Sequence, residues 1–149
     1  MRYSEARAGR IFVVRLEQDD VLHESVERLA RKERIARAYV LALGALDEGS
    51  ALVVGPKDGK VDPPIPMRIE LKEPRELAGV GTIFPDEEGR PMLHMHAATG
   101  RNDTSVTGCV RAGVRTWKVL EVIIHELTDN PAIRKRDAVS GFELLEPEP

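Results

Sequence analysis

Two histidines separated by one residue, His94 and His96, stand in the segment PMLHMHAATGR from Pro91 to Arg101. A strand alternates its side chains between two faces. This spacing therefore predicts Met92, His94, His96 and Ala98 on one face, with Leu93, Met95 and Ala97 on the other, core-facing one. Two imidazoles at i and i+2 are close enough to share one metal ion, and neutral imidazole suits zinc, iron, nickel or copper. A thiolate from Cys109, the one cysteine of the chain, would supply a third ligand. Its side depends on the register of the next strand. If the hairpin pairs Thr99 with Thr104, His94 faces Cys109 and His96 faces Thr107, all on one side. A one-residue slip would turn Cys109 to the opposite face. A His-His-Cys set with an open fourth position has the form of a catalytic zinc site. The same residues also have a plainer reading, as a hydrogen-bonded polar pair and a buried cysteine acting as a small hydrophobe.

Glu121 is the next candidate. It lies within the apolar run Val119 to Ile124, which predicts burial, and a buried carboxylate needs a partner or a raised pKa. It could serve as acid/base or fourth ligand, or as a glutamate paired to arginine at a strand edge or interface. His125 falls near a strand end with solvent access, and His23 falls on a helix in a structural role. The cluster Arg28, Arg31, Lys32, Arg34, Arg37 alternates with glutamates as a wet helix face, and Arg134-Lys135-Arg136 reads as a loop patch. Neither has interleaved aromatics for stacking on single strands. Gly89-Arg90-Pro91 has the core of a minor-groove AT-hook, but Glu87 and Glu88 precede it and a strand follows. No phosphate-binding loop, dinucleotide fingerprint or nucleophile elbow occurs.

The elements that must position these residues follow from periodicity. Apolar Val21, Leu22, Val26, Leu29 and Ala30 repeat at a helical period, predicting one long helix from Val21 to Arg34 with Asp19-Asp20 as its N-cap. Strands are predicted at 10–16, 38–44, 51–54, 67–71, 76–84, 92–99, 105–112, 117–126 and 142–145, with loops at 57–66 and 100–103. Their short links favour antiparallel or mixed pairing, because parallel neighbours need long crossovers. The expected fold is α/β in the α+β sense: a mixed, largely antiparallel sheet with one main helix packed on it, as a single domain over 1–149. About 1–8 and 146–149 are expected as flexible ends.

The chain has 149 residues, 42% hydrophobic and 32% charged, enough for one core without a disulfide or structural metal. Its net charge of −3 argues against whole-protein attraction to nucleic acid. No apolar run approaches membrane-spanning length and no secretory signal is visible, so a cytoplasmic location is expected. Scarce Gln and Asn beside abundant Arg and Glu lean toward a thermophilic source.

Taken in order, the motifs resemble those of the plants-and-prokaryotes conserved (PPC) domain. Residues 75–84, RELAGVGTIF, resemble its (F)E(I/L)LSLSGN strand, and residues 89–101, GRPMLHMHAATGR, resemble its GxPxxHxHxxxGR hallmark. Thr107-Gly-Cys-Val110 falls where that family has Gly-Gly-His-Val or Gly-Gly-His-Leu. The segment 116–124 is similar to its following strand, and Gly44-Ala-Leu46 matches its Gly-Ala-(Leu/Val) turn. The resemblance implies a mixed sheet with a packed helix, homotrimeric assembly, and a stand-alone regulatory or DNA-binding module. Plant members carry AT-hooks before this domain; the hook grips DNA and the domain drives assembly. The fold is similar to that of acetolactate decarboxylase and a human ester hydrolase, which hold zinc through histidines. That similarity implies, as the alternative, a metal-dependent hydrolase, decarboxylase-like enzyme or sensor for a small carboxylate. It implies His94 and His96 as metal ligands, with Cys109 at the third histidine's position. That departure keeps a soft ligand and changes the metal preference, or marks a lost site. Ala-Gly-Val in place of Ser-Leu-Ser also removes hydroxyls from the adjoining strand.

Overall fold

The computed structural model describes residues 1–111 and 113–148. Ten strands and one helix follow in chain order: β1 (Arg7–Glu17), α1 (Leu22–Glu33), β2 (Ala38–Leu46), β3 (Ala51–Pro56), β4 (Pro66–Glu70), β5 (Arg75–Pro85), β6 (Pro91–Arg101), β7 (Thr104–Val110), β8 (Thr116–Thr128), β9 (Ile133–Arg136) and β10 (Glu143–Glu146). Eight strands form one sheet in the order β1-β8-β2-β5-β6-β7-β3-β4, and β9 pairs with β10. All of these ladders are antiparallel. The expectation of a largely antiparallel sheet with one helix holds. The expected strand 105–112 ends at Val110, and Ala112 lies outside the described residues, as does Pro149 of the expected C-terminal tail.

The helix packs on one face only. Leu22, Val26 and Ala30 are buried at a helical spacing, against a core that includes Val40, Ile83, Leu93, Met95, Leu120, Val122 and Ile124. Removing this apolar surface from water is the main stabilising term. Glu27 adds a polar anchor, its carboxylate accepting the Leu93 backbone N–H at 3.0 Å. The N-cap differs from expectation. Val21 takes that position without a side-chain cap bond. Asp20 is used elsewhere, its carboxylate accepting the Glu17 N–H at 2.9 Å and its carbonyl accepting the Thr116 N–H at 2.9 Å. The aspartates thus close the β1–α1 turn onto β8. At the other end Arg34 adopts φ 56°, and its N–H reaches back to the Ala30 and Arg31 carbonyls.

The last residues of the N-terminal end expected to be flexible, Arg7 and Ala8, lie in a strand. β1 begins at Arg7, and Asn130 Nδ2 donates to Ser4 Oγ and the Glu5 carbonyl, each at 2.9 Å.

Among the described residues no helix covers the opposite sheet face. Ile11, Val13, Leu41, Leu43 and Val80 are exposed there, in rows that cross β1, β2 and β5. No helix among the described residues is long and apolar enough to cross a membrane.

Candidate metal centre

Strand β6 alternates as its sequence requires. Leu93, Met95 and Ala97 are buried in the core, while His94, His96 and Ala98 are exposed on the helix-free face. The hairpin register differs from the expected one by two residues. β6 and β7 run to Arg101 and Thr104, which pair across a two-residue turn, so Thr99 faces Val106 and His96, not His94, faces Cys109. Asn102 carries the turn at φ 53°, a conformation its short polar side chain tolerates better than most. A two-residue shift preserves the side of the sheet, so Cys109 still shares the histidines' face.

The three ligand atoms lie within 4.8 Å of one another. His94 and His96 bring their Nε2 atoms to 3.3 Å. Zn–N bonds of about 2.0–2.1 Å in tetrahedral geometry place two imidazole nitrogens about 3.3–3.4 Å apart. The histidine pair has the separation of two ligands on one ion, and the cysteine adds a soft third donor. The residues present therefore fit a divalent transition metal.

The electrostatics favour ligation by His94. Desolvation holds its pKa down to about 4, with positive charge on Arg134, His96 and Arg111 pressing the same way. A neutral ring is the metal-binding form. Its folded pKa lies below the ordinary 6.5, so the unfolded chain takes up the proton first on acidification. The stability contributed by the neutral ring is complete above about pH 6.5 and is lost as pH falls toward about 4. An NMR titration of the metal-free protein is expected to show His94 neutral until near pH 4. A midpoint at the ordinary histidine value would contradict this environment. Burial pushes the Cys109 thiol up, against the opposing pull of Arg111 and Arg134. A metal bound through this thiol would displace its proton, so its uptake would weaken as pH falls.

Glu121 is placed elsewhere. It is exposed rather than buried, because β8 alternates Leu120, Val122 and Ile124 toward the core and Val119 and Glu121 outward. It faces Arg15 of β1 and Leu43 of β2, three strands from β6, or roughly 14 Å at ordinary strand spacing. Within one chain it does not join the histidines. His125 is half-buried and its Nδ1 lies 2.6 Å from the Tyr39 hydroxyl. His23 is half-buried on α1, apart from the centre.

Arg134 belongs to the site and was not expected there. The loop patch 134–136 is in fact β9, whose pairing with β10 brings Arg134 against β5. Its Nη2 donates to Thr82 Oγ1 at 3.0 Å, and Thr82 is the β5 residue paired with His94. The turn from Asp137 to Gly141 between two short strand-like segments was the available sequence signal.

The sequence matches the family model of the Plants and Prokaryotes Conserved (PCC) domain over residues 3–128. The chain belongs to this family. Its PCC fold is also that of solved structures. One, described as a metal-containing protein from Archaeoglobus fulgidus, has a TM-score of 0.83 and 22% identity, with 97% of this chain and 98% of that one covered. A plant- and prokaryote-conserved protein from Pyrococcus horikoshii has a TM-score of 0.80 and 21% identity over 98% and 99% of the two chains. A proposed DNA-binding protein from Bacteroides thetaiotaomicron has a TM-score of 0.75 and 14% identity over 95% and 97%. At these identities the likeness establishes the shared fold. No match was found among curated protein sequences. In this PCC domain the paired histidines and Cys109 are the cluster of metal-binding residue types found among the described residues.

Proposed function

We propose that this PCC domain holds one divalent transition metal ion, zinc foremost, through His94, His96 and Cys109, and presents its open fourth position to an exogenous ligand. The observation that carries the reading is the 3.3 Å approach of the two Nε2 atoms with the thiol on the same face. Three protein ligands leave a position for water or substrate, and a metal there supplies Lewis acidity and an activated water. The chain's own part is to keep His94 neutral, to present both imidazoles from a rigid strand, and to seat Cys109 on the neighbouring one. The metal-containing description of the Archaeoglobus neighbour supports the same reading. Protein made without a histidine tag is expected to contain about one metal ion per chain and to melt at lower temperature after chelation. Background metal and an unchanged melting curve would overturn the proposal.

We further propose that the domain works as a homotrimer through the β1 and β2 part of its helix-free face, which leaves the β6 centre open. Val13 is 82% exposed and Leu43 58%, values that mark apolar side chains without cover in one chain. Sedimentation equilibrium should return three chain masses, and Val13→Lys with Leu43→Lys should return one. A monomeric wild type would end this part of the account.

A DNA-associated role is the second reading, favoured by the description of the Bacteroides neighbour and by exposed Lys135 and Arg136 on β9. It requires duplex affinity that falls steeply with salt. Weak, salt-insensitive binding would exclude it.

A further inference from the structure

We propose that Arg134, with Arg111 beside it, makes the open side of the His94–His96–Cys109 centre a binding site for a small oxyanion, either a carboxylate or inorganic phosphate. The inference rests on the metal-centre reading for one wall of the site, and on the guanidinium alone for the other.

Arg134 is only 5% exposed. Its Nη2 donates to Thr82 Oγ1 at 3.0 Å, and its Nη1 donates to the Glu143 carbonyl at 3.2 Å. The guanidinium carbon stands 5.9 Å from the centroid of the Phe84 ring. Thr82 and Phe84 are successive outward positions on β5 and pair with His94 and Met92 of β6. These contacts place the guanidinium on the helix-free face, alongside His94.

What the guanidinium lacks is a negative partner. Its Nε is buried and, among the described residues, has no hydrogen-bond partner. Among the described residues no carboxylate forms an ion pair with it, and the carboxylate of Glu143 lies 3.9 Å from Arg136 instead. Buried charges are ordinarily paired, because an unpaired one forfeits its hydration without compensation. The neighbours relieve this only in part, since Glu143 acts to raise the Arg134 pKa but is the last and smallest of the causes. Desolvation, then the positive charge of Arg111, pushes the Arg134 pKa down. Arg111 is exposed and follows β7 directly, two residues after Cys109.

The missing group is therefore an anion. The guanidinium fork matches two oxygens of a carboxylate or phosphate, which selects an oxyanion over a halide. An oxyanion bound there also lies beside the open metal position, so one ligand can satisfy both walls.

The test uses the full chain, metal-free and cobalt(II)-loaded, titrated separately with acetate, inorganic phosphate and chloride. Two signals are followed: the Arg134 Nε–H resonance and the cobalt visible spectrum. Acetate or phosphate is expected to move the Nε–H resonance saturably, and chloride is not. Which oxyanion binds more tightly identifies the ligand chemistry. Arg134→Lys should weaken the response of the cobalt spectrum at least about tenfold, as expected for loss of charge-assisted hydrogen bonds. Arg111→Ala, at an exposed position, should weaken it severalfold and guards against misfolding of the Arg134 variant. An Nε–H resonance indifferent to both oxyanions would overturn the proposal, as would an equal response to chloride or undiminished binding in both variants. If cobalt fails to bind while the Nε–H resonance still responds to an oxyanion, the anion site stands and the metal reading fails.

Discussion

Replacing His96 with alanine is expected to take the protein from about one bound metal ion per chain to background, with affinity lowered by at least roughly a hundredfold. Changes to groups that merely orient a metal ligand already cost 10- to 100-fold, and His96 is proposed as a ligand itself. It occupies the centre of the cluster, with its Nε2 3.3 Å from that of His94 and its backbone directly opposite Cys109. Because His96 is exposed, the substitution should leave the metal-free fold within about 0.5 kcal/mol of wild type. The plainer hydrogen-bonded-pair reading predicts the reverse pattern, no metal to lose and a loss of about 1 kcal/mol in stability. Two cysteine variants sharpen the contrast. Cys109→Ala should lose metal as His96→Ala does. Cys109→His should keep it, because position 109 already faces the histidine pair and imidazole is a fitting ligand. Metal analysis after dialysis against a weak chelator separates these outcomes. Retention of stoichiometric metal by His96→Ala would remove this residue from the site.

Gly44→Ala is expected to be the most damaging single methyl group that can be added to the sheet. Gly44 sits at φ 136°, which L side chains rarely adopt, and a β-carbon there would lie 2.4 Å from the Val119 carbonyl oxygen. The clashing oxygen belongs to the backbone, so no side-chain rotation relieves the overlap. The position has a structural purpose. β2 and β8 change register between Gly44 and Leu46, a local bulge that brings Leu46 opposite Thr116. A strained backbone and a steric clash together cost about 3 kcal/mol or more. For a chain of this length that is a fall in melting temperature of roughly 6–12 °C. Wild type and variant should be compared at one protein concentration, since self-association would make the melting point concentration-dependent. A fall of less than about 2 °C would show that the bulge relaxes and that this glycine is dispensable.

The Gly44-Ala-Leu46 motif was visible in the sequence, but its reason was not. The bulge is a property of the β2–β8 ladder, and those strands are far apart in the chain. The same distinction runs through the rest of the molecule. Helix α1 was legible because its buried stripe, Leu22, Val26 and Ala30, repeats at a period that needs no partner to be recognised. Strand β6 was legible for the same reason at a period of two. The β6–β7 register was not, because Asn102-Asp103 closes a two-residue turn where a four-residue loop was expected. The side of Cys109 nevertheless agreed with expectation, since an offset of two leaves every residue on its face.

Glu121 fared differently. The run Val119 to Ile124 suggested a strand buried on both faces, yet only one face is covered within the single chain. Apolar side chains on both faces of a strand are the pattern of sheets covered on both sides. The misreading is consistent with the proposed assembly. Arg134 was the residue sequence reasoning missed. The charged stretch of β9 has no apolar alternation, and Asn130-Pro131 before it reads as a break. Its burial arises only when β9 docks over β5, a tertiary event without a local signature.

The most direct test of the central claim is X-ray absorption at the metal edge of zinc-loaded protein. The expected first shell is two imidazole nitrogens at about 2.0–2.1 Å, one sulfur at about 2.3 Å, and a lighter oxygen or nitrogen donor in the remaining position, with the sulfur shell absent in Cys109→His. A first shell of oxygens alone, or a sulfur shell that survives Cys109→His, would contradict it.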